Sequence, residues 1–224
     1  MAWGRLLAVI PALGLGWASV YAVEQGTASA TVFDAGQEIS RWAEGKAQPT
    51  AERLAGMRVE LEQAKGRAPA DPAVHELLGL LHARSGNRQE YVGEAGVHFL
   101  RSVELRPTSP NAWANIAAVR YRGGDTGRVF EGALVRATQL GPFEPEVQRV
   151  VANYGLAVYD EVTPATRRAI EAMVAAGMKR KPMEMLQIAE RRGRLHVACT
   201  HLAGTPRLTD SKWSQLCQSL EATL

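Results

Sequence analysis

Val32, Ala35, Ile39 and Trp42 step along the chain at intervals of three and four residues, the spacing that lines up side chains on one face of an α-helix. Gly45 and the Gln48-Pro49 pair end that stripe. A second stripe of Leu54, Met57, Leu61 and Ala64 begins near Thr50 and stops at Gly66 and Pro69, so the pair predicts a helical hairpin. The segment DPAVHELLGLLHARSGN comes next. Its Pro72 suits a first helical turn, where the missing N–H is not needed, and Gly86-Asn87 is the expected stop. A partner helix over VGEAGVHFLRSVELRP ends at Pro107.

The stretch from Ser109 to Pro142, SPNAWANIAAVRYRGGDTGRVFEGALVRATQLGP, repeats this plan. Pro110 opens a helix, Gly124-Asp125 closes it, and a second helix runs from about Gly127 to Leu140. Superposing the two stretches sets Leu78-Gly79 on Ile116-Ala117, Gly86-Asn87 on Gly124-Asp125, Phe99 on Leu134, Ser102 on Ala137 and Pro107 on Pro142. The period is about 35 to 38 residues. Beyond Pro145 the period fades but helices continue. One is expected from about Glu146 to Tyr159, and one from Pro164, capped by Thr163, to Gly177. Another runs from Pro182 to Gly193, with final helices near 194–202 and 211–222.

Trp113, the small Ala117, the Gly124-Asp125 turn, Ala137 and Pro142 resemble a tetratricopeptide repeat, a helix-turn-helix unit that stacks into a curved solenoid. The first unit carries His75 where the second has Trp113, and about four extra residues around Arg88 to Tyr91. Over the whole chain, the apolar start, VHELLGLLHARSGN, LRPTSPNAWANIAAVRYRGG, LGPFEPEVQRVVANYGLAVYDEV and KRKPMEMLQIAERRGRL resemble the single-span, VpsP-like proteins associated with exopolysaccharide synthesis and export. That resemblance implies an accessory or scaffolding role and supplies no catalytic residues. The expected architecture is all-α. Residues 1–30 form a signal anchor or transmembrane helix, 31–70 a helical hairpin, 71–143 two tetratricopeptide-like repeats, and 144–224 a helical C-terminal cap.

The first residues, MAWGRLLAVIPALGLGWASVYAV, place Arg5 before a stretch at 6–23 without charge. Two fates are open. A signal peptide would be cleaved near Val20-Tyr21-Ala22 or Ala28-Ser29-Ala30. A retained span would cross the inner membrane through residues 6–23 with Trp3, Trp17 and Tyr21 at the interfaces. The expectation taken forward is the retained single span, with Arg5 in the cytoplasm and the C-terminal body in the periplasm. Cys199 and Cys217 suit an oxidising space, where they would pair as a disulfide; two buried thiols are the alternative. With a formal net charge of +3 and no basic reading module, nucleic acid is set aside as a partner.

Catalytic constellations are not found, so the chain is read as a non-enzyme without cofactor or metal. His75, His82 and His98 fall on repeat helices and read as core or boundary imidazoles. In HVACTH, His196 and Cys199 share a helical face but His201 is displaced, so zinc is the lesser reading beside a disulfide or plain packing. Asp160-Glu161 reads as a solvated turn, and Gly123-Gly124-Asp125 lacks the rest of a phosphate loop. By the repeat resemblance, the first helix of each unit would line a partner-binding groove with Glu76, Leu80 and Arg84 beside Asn111, Ala114, Ala118, Tyr121 and Arg122. Arginines there would suit an acidic or aromatic-containing peptide. A second candidate surface is basic: Arg167, Arg168, Lys179, Arg180, Lys181, Arg191, Arg192 and Arg194 outnumber Glu171, Glu184 and Glu190. The expected function is a membrane-anchored periplasmic scaffold holding proteins of an exopolysaccharide assembly. The alternatives are an adaptor of pilus or outer-membrane assembly, and a periplasmic glycan-processing enzyme.

Overall fold

Helices and their connecting turns make up the fold: the computed structural model describes residues 3–84, 91–202 and 212–221, and among these there is no strand. Side chains at 3–16, 18, 21, 91, 212, 220 and 221 lie outside the described set. In chain order the helices are α1 (Trp3–Ala43), α2 (Ala51–Arg67), α3 (Pro72–His82), α4 (Gly96–Leu105), α5 (Pro110–Gly123) and α6 (Arg128–Leu140). Then come α7 (Pro145–Gly155), α8 (Pro164–Arg180), α9 (Pro182–Arg191), α10 (Leu195–Cys199) and α11 (Lys212–Glu221). A π-helical turn, Tyr91–Ala95, leads into α4, and a 3-10 turn, Leu156–Val158, succeeds α7.

The starts of these helices arise from local chemistry. Proline occupies the first turn of α3, α5, α7, α8 and α9, where its fixed φ suits a helix and its missing N–H leaves nothing unsatisfied. Thr50, Asp71, Ser109 and Thr163 cap α2, α3, α5 and α8 by accepting from the backbone N–H groups of Arg53, Ala73, Ala112 and Thr166. α5 ends at Gly124, whose φ of 84° is left-handed backbone that glycine adopts without a Cβ penalty. The expected Gly86-Asn87 stop lies outside the described residues. Downstream of it the chain re-enters helix through the π-helical turn at Tyr91–Ala95, the register in which extra residues are absorbed without breaking a helix.

Successive helices pack as hairpins: α1 with α2, α3 with α4, α5 with α6, α7 with α8, and α9 with α10. The second helix of each hairpin also meets the first helix of the next. Among first helices, α1 meets α3, α5 meets α7 and α7 meets α9; among second helices, α6 meets α8 and α8 meets α10. The hairpin stacking therefore continues past residue 143. Close approach is built on small residues: a Cβ added at Gly79 of α3 would come within 2.6 Å of the Phe99 ring on α4, and one at Gly155 of α7 within 2.5 Å of Ile170 on α8. The last hairpin is covered by α11, which buries Trp213 and is tied to α10 by a disulfide between Cys199 and Cys217.

The apolar interior falls into two clusters. One joins α1, α2 and α3 through Ala28, Ala35, Ile39, Trp42, Met57, Leu61, Val74 and Leu78. The other begins at Ala95 and Phe99 and runs on to Trp213. The boundary between them passes along the α3–α4 contact, and Leu80 touches both.

The expected membrane span is corrected. Among the described residues no helix is long and apolar enough to cross a membrane. α1 runs unbroken to Ala43, and its described part carries Ser19, Glu24, Gln25, Thr27 and Asp34 between the apolar positions. Its buried stripe of Ala28, Ala35, Ile39 and Trp42 faces α2 and α3, so this helix is the first member of the bundle. The side chains of residues 6–16, on which much of the span rested, lie outside the described set. The single-span inner-membrane localisation depended on that span and falls with it.

Candidate functional site

A cavity of about 790 Å³ opens where the first helices of four hairpins face one another. α1 supplies Val32, Phe33, Gly36, Ile39, Ser40 and Trp42; α3 supplies Ala73, Glu76, Leu77, Leu80 and the adjoining Arg84; α5 supplies Asn111 and Asn115, and α7 supplies Glu146 and Arg149. The helical period explains why these residues converge. Glu76 and Leu80 are four apart, as are Asn111 and Asn115, so each pair lies on one face of its helix. On α1, Val32, Gly36 and Ile39 do the same.

The polar groups of this groove differ in how far they are already occupied. Glu76 accepts from Ser109 Oγ at 3.4 Å and faces Arg106 at 3.5 Å. Burial raises its carboxyl above the ordinary value against the pull of Arg106 and Ser109. Arg149 is paired with Glu146 and approaches Glu184 at 4.0 Å. By contrast, Arg84 lies with its guanidinium 5.7 Å from the centroid of the Trp42 ring, a cation–π arrangement, and no carboxylate pairs with it among the described residues. The amide oxygen of Asn111 is buried and has no hydrogen-bond partner.

Of the eight residues expected to line the groove, Glu76, Leu80, Arg84 and Asn111 are brought together there. Ala114 and Ala118 are buried in helix contacts. Tyr121 packs its ring at 6.3 Å from Phe130 and 5.1 Å from Tyr154, in the seam joining α5 to α6 and α7. Arg122 is exposed on α5 and is not part of the lining. The wall contributed by α1 is not legible in the sequence, because the stripe containing Ile39 and Trp42 announces only that a helix has a buried side. Which neighbour it meets is a tertiary fact.

A second cluster sits on the boundary between the two apolar clusters. His75 and His82, seven apart on α3, and His98 on α4 are all buried. His75 Nδ1 lies 3.2 Å from His98 Nδ1, and His75 Nε2 lies 3.2 Å from the Pro69 carbonyl oxygen. His82 and His98 stack with centroids 5.5 Å apart. One ligand atom each from Glu62 of α2, His82 and His98 lie within 4.8 Å of one another. Burial pushes His75 below its ordinary value and, aided by the charge of Lys65, lowers His98 to about 4. The sequence signal is the seven-residue spacing of His75 and His82, two helical turns on one face.

The remaining candidates separate readily. In HVACTH the Cys199 sulfur is joined to Cys217, with Cα atoms 5.4 Å apart, so neither cysteine offers a thiolate to a metal. His196 meets the edge of Tyr159. The basic region is partly spent within the fold: Arg192 donates to Asn153, Arg194 pairs with Asp160, and Arg180 donates to the Phe143 carbonyl. Glu161 is exposed, and Gly123-Gly124-Asp125 is the end of α5, where Asp125 accepts from the Gly127 N–H. No protein-family model matches the chain, and no curated protein or solved structure matches it.

Proposed function

We propose that this chain is a non-catalytic scaffold whose groove between α1, α3, α5 and α7 holds an extended segment of a partner protein. The observation that carries this reading is the lining: an apolar floor with two polar groups that the fold leaves without a matching partner. Val32, Ile39, Leu77 and Leu80 offer apolar surface for side chains. Asn111 contributes an amide whose buried oxygen has no hydrogen-bond partner, and Arg84 can meet a carboxylate, which a guanidinium does through two parallel donors. The volume lies within the range of sites that bury most of a small ligand or several peptide side chains. The occupant that fits is a segment alternating apolar and acidic side chains.

The glycan-processing alternative needs two carboxyl groups flanking a sugar, one of them free to deliver a proton. Glu76 is the groove carboxyl displaced upward, yet Ser109 and Arg106 already engage it, and the Glu146 carboxylate is paired with Arg149. The resemblance to tetratricopeptide and VpsP-like proteins supports partners from a polysaccharide assembly over those of another envelope machine. Affinity capture from native cells tests both points. Arg84→Glu should reduce recovery of the principal partner at least about tenfold, the equivalent of 1.4 kcal/mol, while Arg122→Glu should leave it unchanged. Equal capture by all three proteins would contradict the groove, and recovery of pilus components would reassign the partner.

A further inference from the structure

We propose that Glu62, His82 and His98 bind one divalent transition-metal ion, zinc(II) in particular, at the seam where α2, α3 and α4 meet. The three ligand atoms come from three helices and lie within 4.8 Å of one another. Two imidazoles and a carboxylate form a common three-residue zinc set, with water in the fourth position. Tetrahedral bonds of about 2.1 Å set ligand atoms about 3.4 Å apart, so binding draws the set inward by side-chain rotation. His82 and His98 are each 7% exposed, which limits competing water.

The hydrogen bonds around His98 prepare it for this role. A carbonyl oxygen only accepts, so His75 Nε2 carries the proton that reaches Pro69. His75 Nδ1 is then an acceptor, and the proton between the two rings belongs to His98 Nδ1. The remaining nitrogen of His98, Nε2, keeps its lone pair for a metal. Fixing a ligand's tautomer through its other nitrogen is what outer partners of metal-bound histidines do, and His75 stands in that place. Lys65 pairs with Glu62 and opposes an incoming cation. Its side chain is 32% exposed, so the ammonium can turn to solvent when the carboxylate is taken by the metal. The ion would link the helices on the two sides of the divided interior, between Leu78 and Phe99.

The test uses the full, disulfide-bonded chain stripped with a chelator and titrated with zinc(II) by calorimetry, then with cobalt(II) by visible absorption. The expected result is one ion per chain and a cobalt spectrum with ligand-field bands but no thiolate charge-transfer band. His98→Gln and His82→Gln should each weaken binding at least about 100-fold, and His75→Phe, which acts through His98, by about 10- to 100-fold. Glu62→Gln should weaken it at least about tenfold; this partly exposed position keeps the test valid if a histidine variant does not fold. The double variant His196→Ala with His201→Ala should bind as the parent does. Absence of saturable binding, or a site indifferent to His82, His98 and Glu62, would overturn the proposal, as would binding lost in the His196/His201 variant.

Discussion

Gly79 stands against the face of Phe99, and the pair shows what a single position contributes to the array. Phe99 is 1% exposed and cannot move away, so the methyl of Gly79→Ala would sit 2.6 Å from its ring. Overpacking of this kind costs about 1–3 kcal/mol. Gly132, exposed within α6 with nothing near its missing Cβ, is the contrasting case: Gly132→Ala should stabilise by up to about 1 kcal/mol through helix propensity. Urea midpoints of the two variants should move in opposite directions. The buried histidines predict a pH effect. Because His98 binds its proton less tightly when folded, the unfolded chain takes up protons first as the pH falls. In metal-free protein the histidine contribution is whole above about 6.5 and is lost progressively toward about 4. The groups facing His98 are His75, His82, Lys65 and Glu62. Glu76 shifts in the opposite sense, so the diagnostic is the difference in slope between the parent and His98→Gln from pH 7 to pH 5. Parallel slopes would contradict the assignment.

Helices are legible where chemistry is local. First-turn prolines and the caps Thr50, Asp71, Ser109 and Thr163 mark starts within the chain itself, and the Gly124 turn marks a stop. Helical spacing sets Glu76 and Leu80 on one face of α3, but that this face and Asn111 of α5 line a groove is implied by the repeat resemblance, which also names Ala114, Ala118, Tyr121 and Arg122, absent from the lining. Two further features are not legible in the sequence. The packing of α1 on α3 as well as α2 depends on Ala28 and Ala35 meeting helices distant in the chain, and no single stretch of the sequence announces that pairing. The meeting of His75 and His82 with His98 crosses a connection that contains extra residues and re-enters through a π turn, and it brings together side chains from two helices that spacing along one helix does not relate. At the end of the array, the short α10 and the separate α11 are joined by a covalent tie. Reducing the Cys199–Cys217 bond, which closes a loop of sequence separation 18, should lower stability by about 3 kcal/mol in the chain-entropy model. Thermal unfolding with and without reductant measures this, and an unchanged midpoint would show that α11 is held by Trp213 alone.

Across the whole molecule, hairpins stacked side by side leave first helices to form one wall, and that wall is not uniform. α5 packs closely on α7, and α1 on α3, while the space facing α1, α3, α5 and α7 remains open as the groove. The groove is lined by α1 and α3, whose buried side chains belong to one apolar cluster, and by α5 and α7, whose buried side chains belong to the other. A partner segment seated there would touch helices from both apolar clusters at once. That joint contact is the central claim, and photocrosslinking in native cells tests it most directly. A photoreactive residue at Leu80 in the groove should trap a partner protein, and the same residue at the exposed Val129 of α6 should not. Loss of the Leu80 crosslink on adding Arg84→Glu would complete the expected pattern; equal crosslinking from Leu80 and Val129, or none from Leu80, would contradict the account.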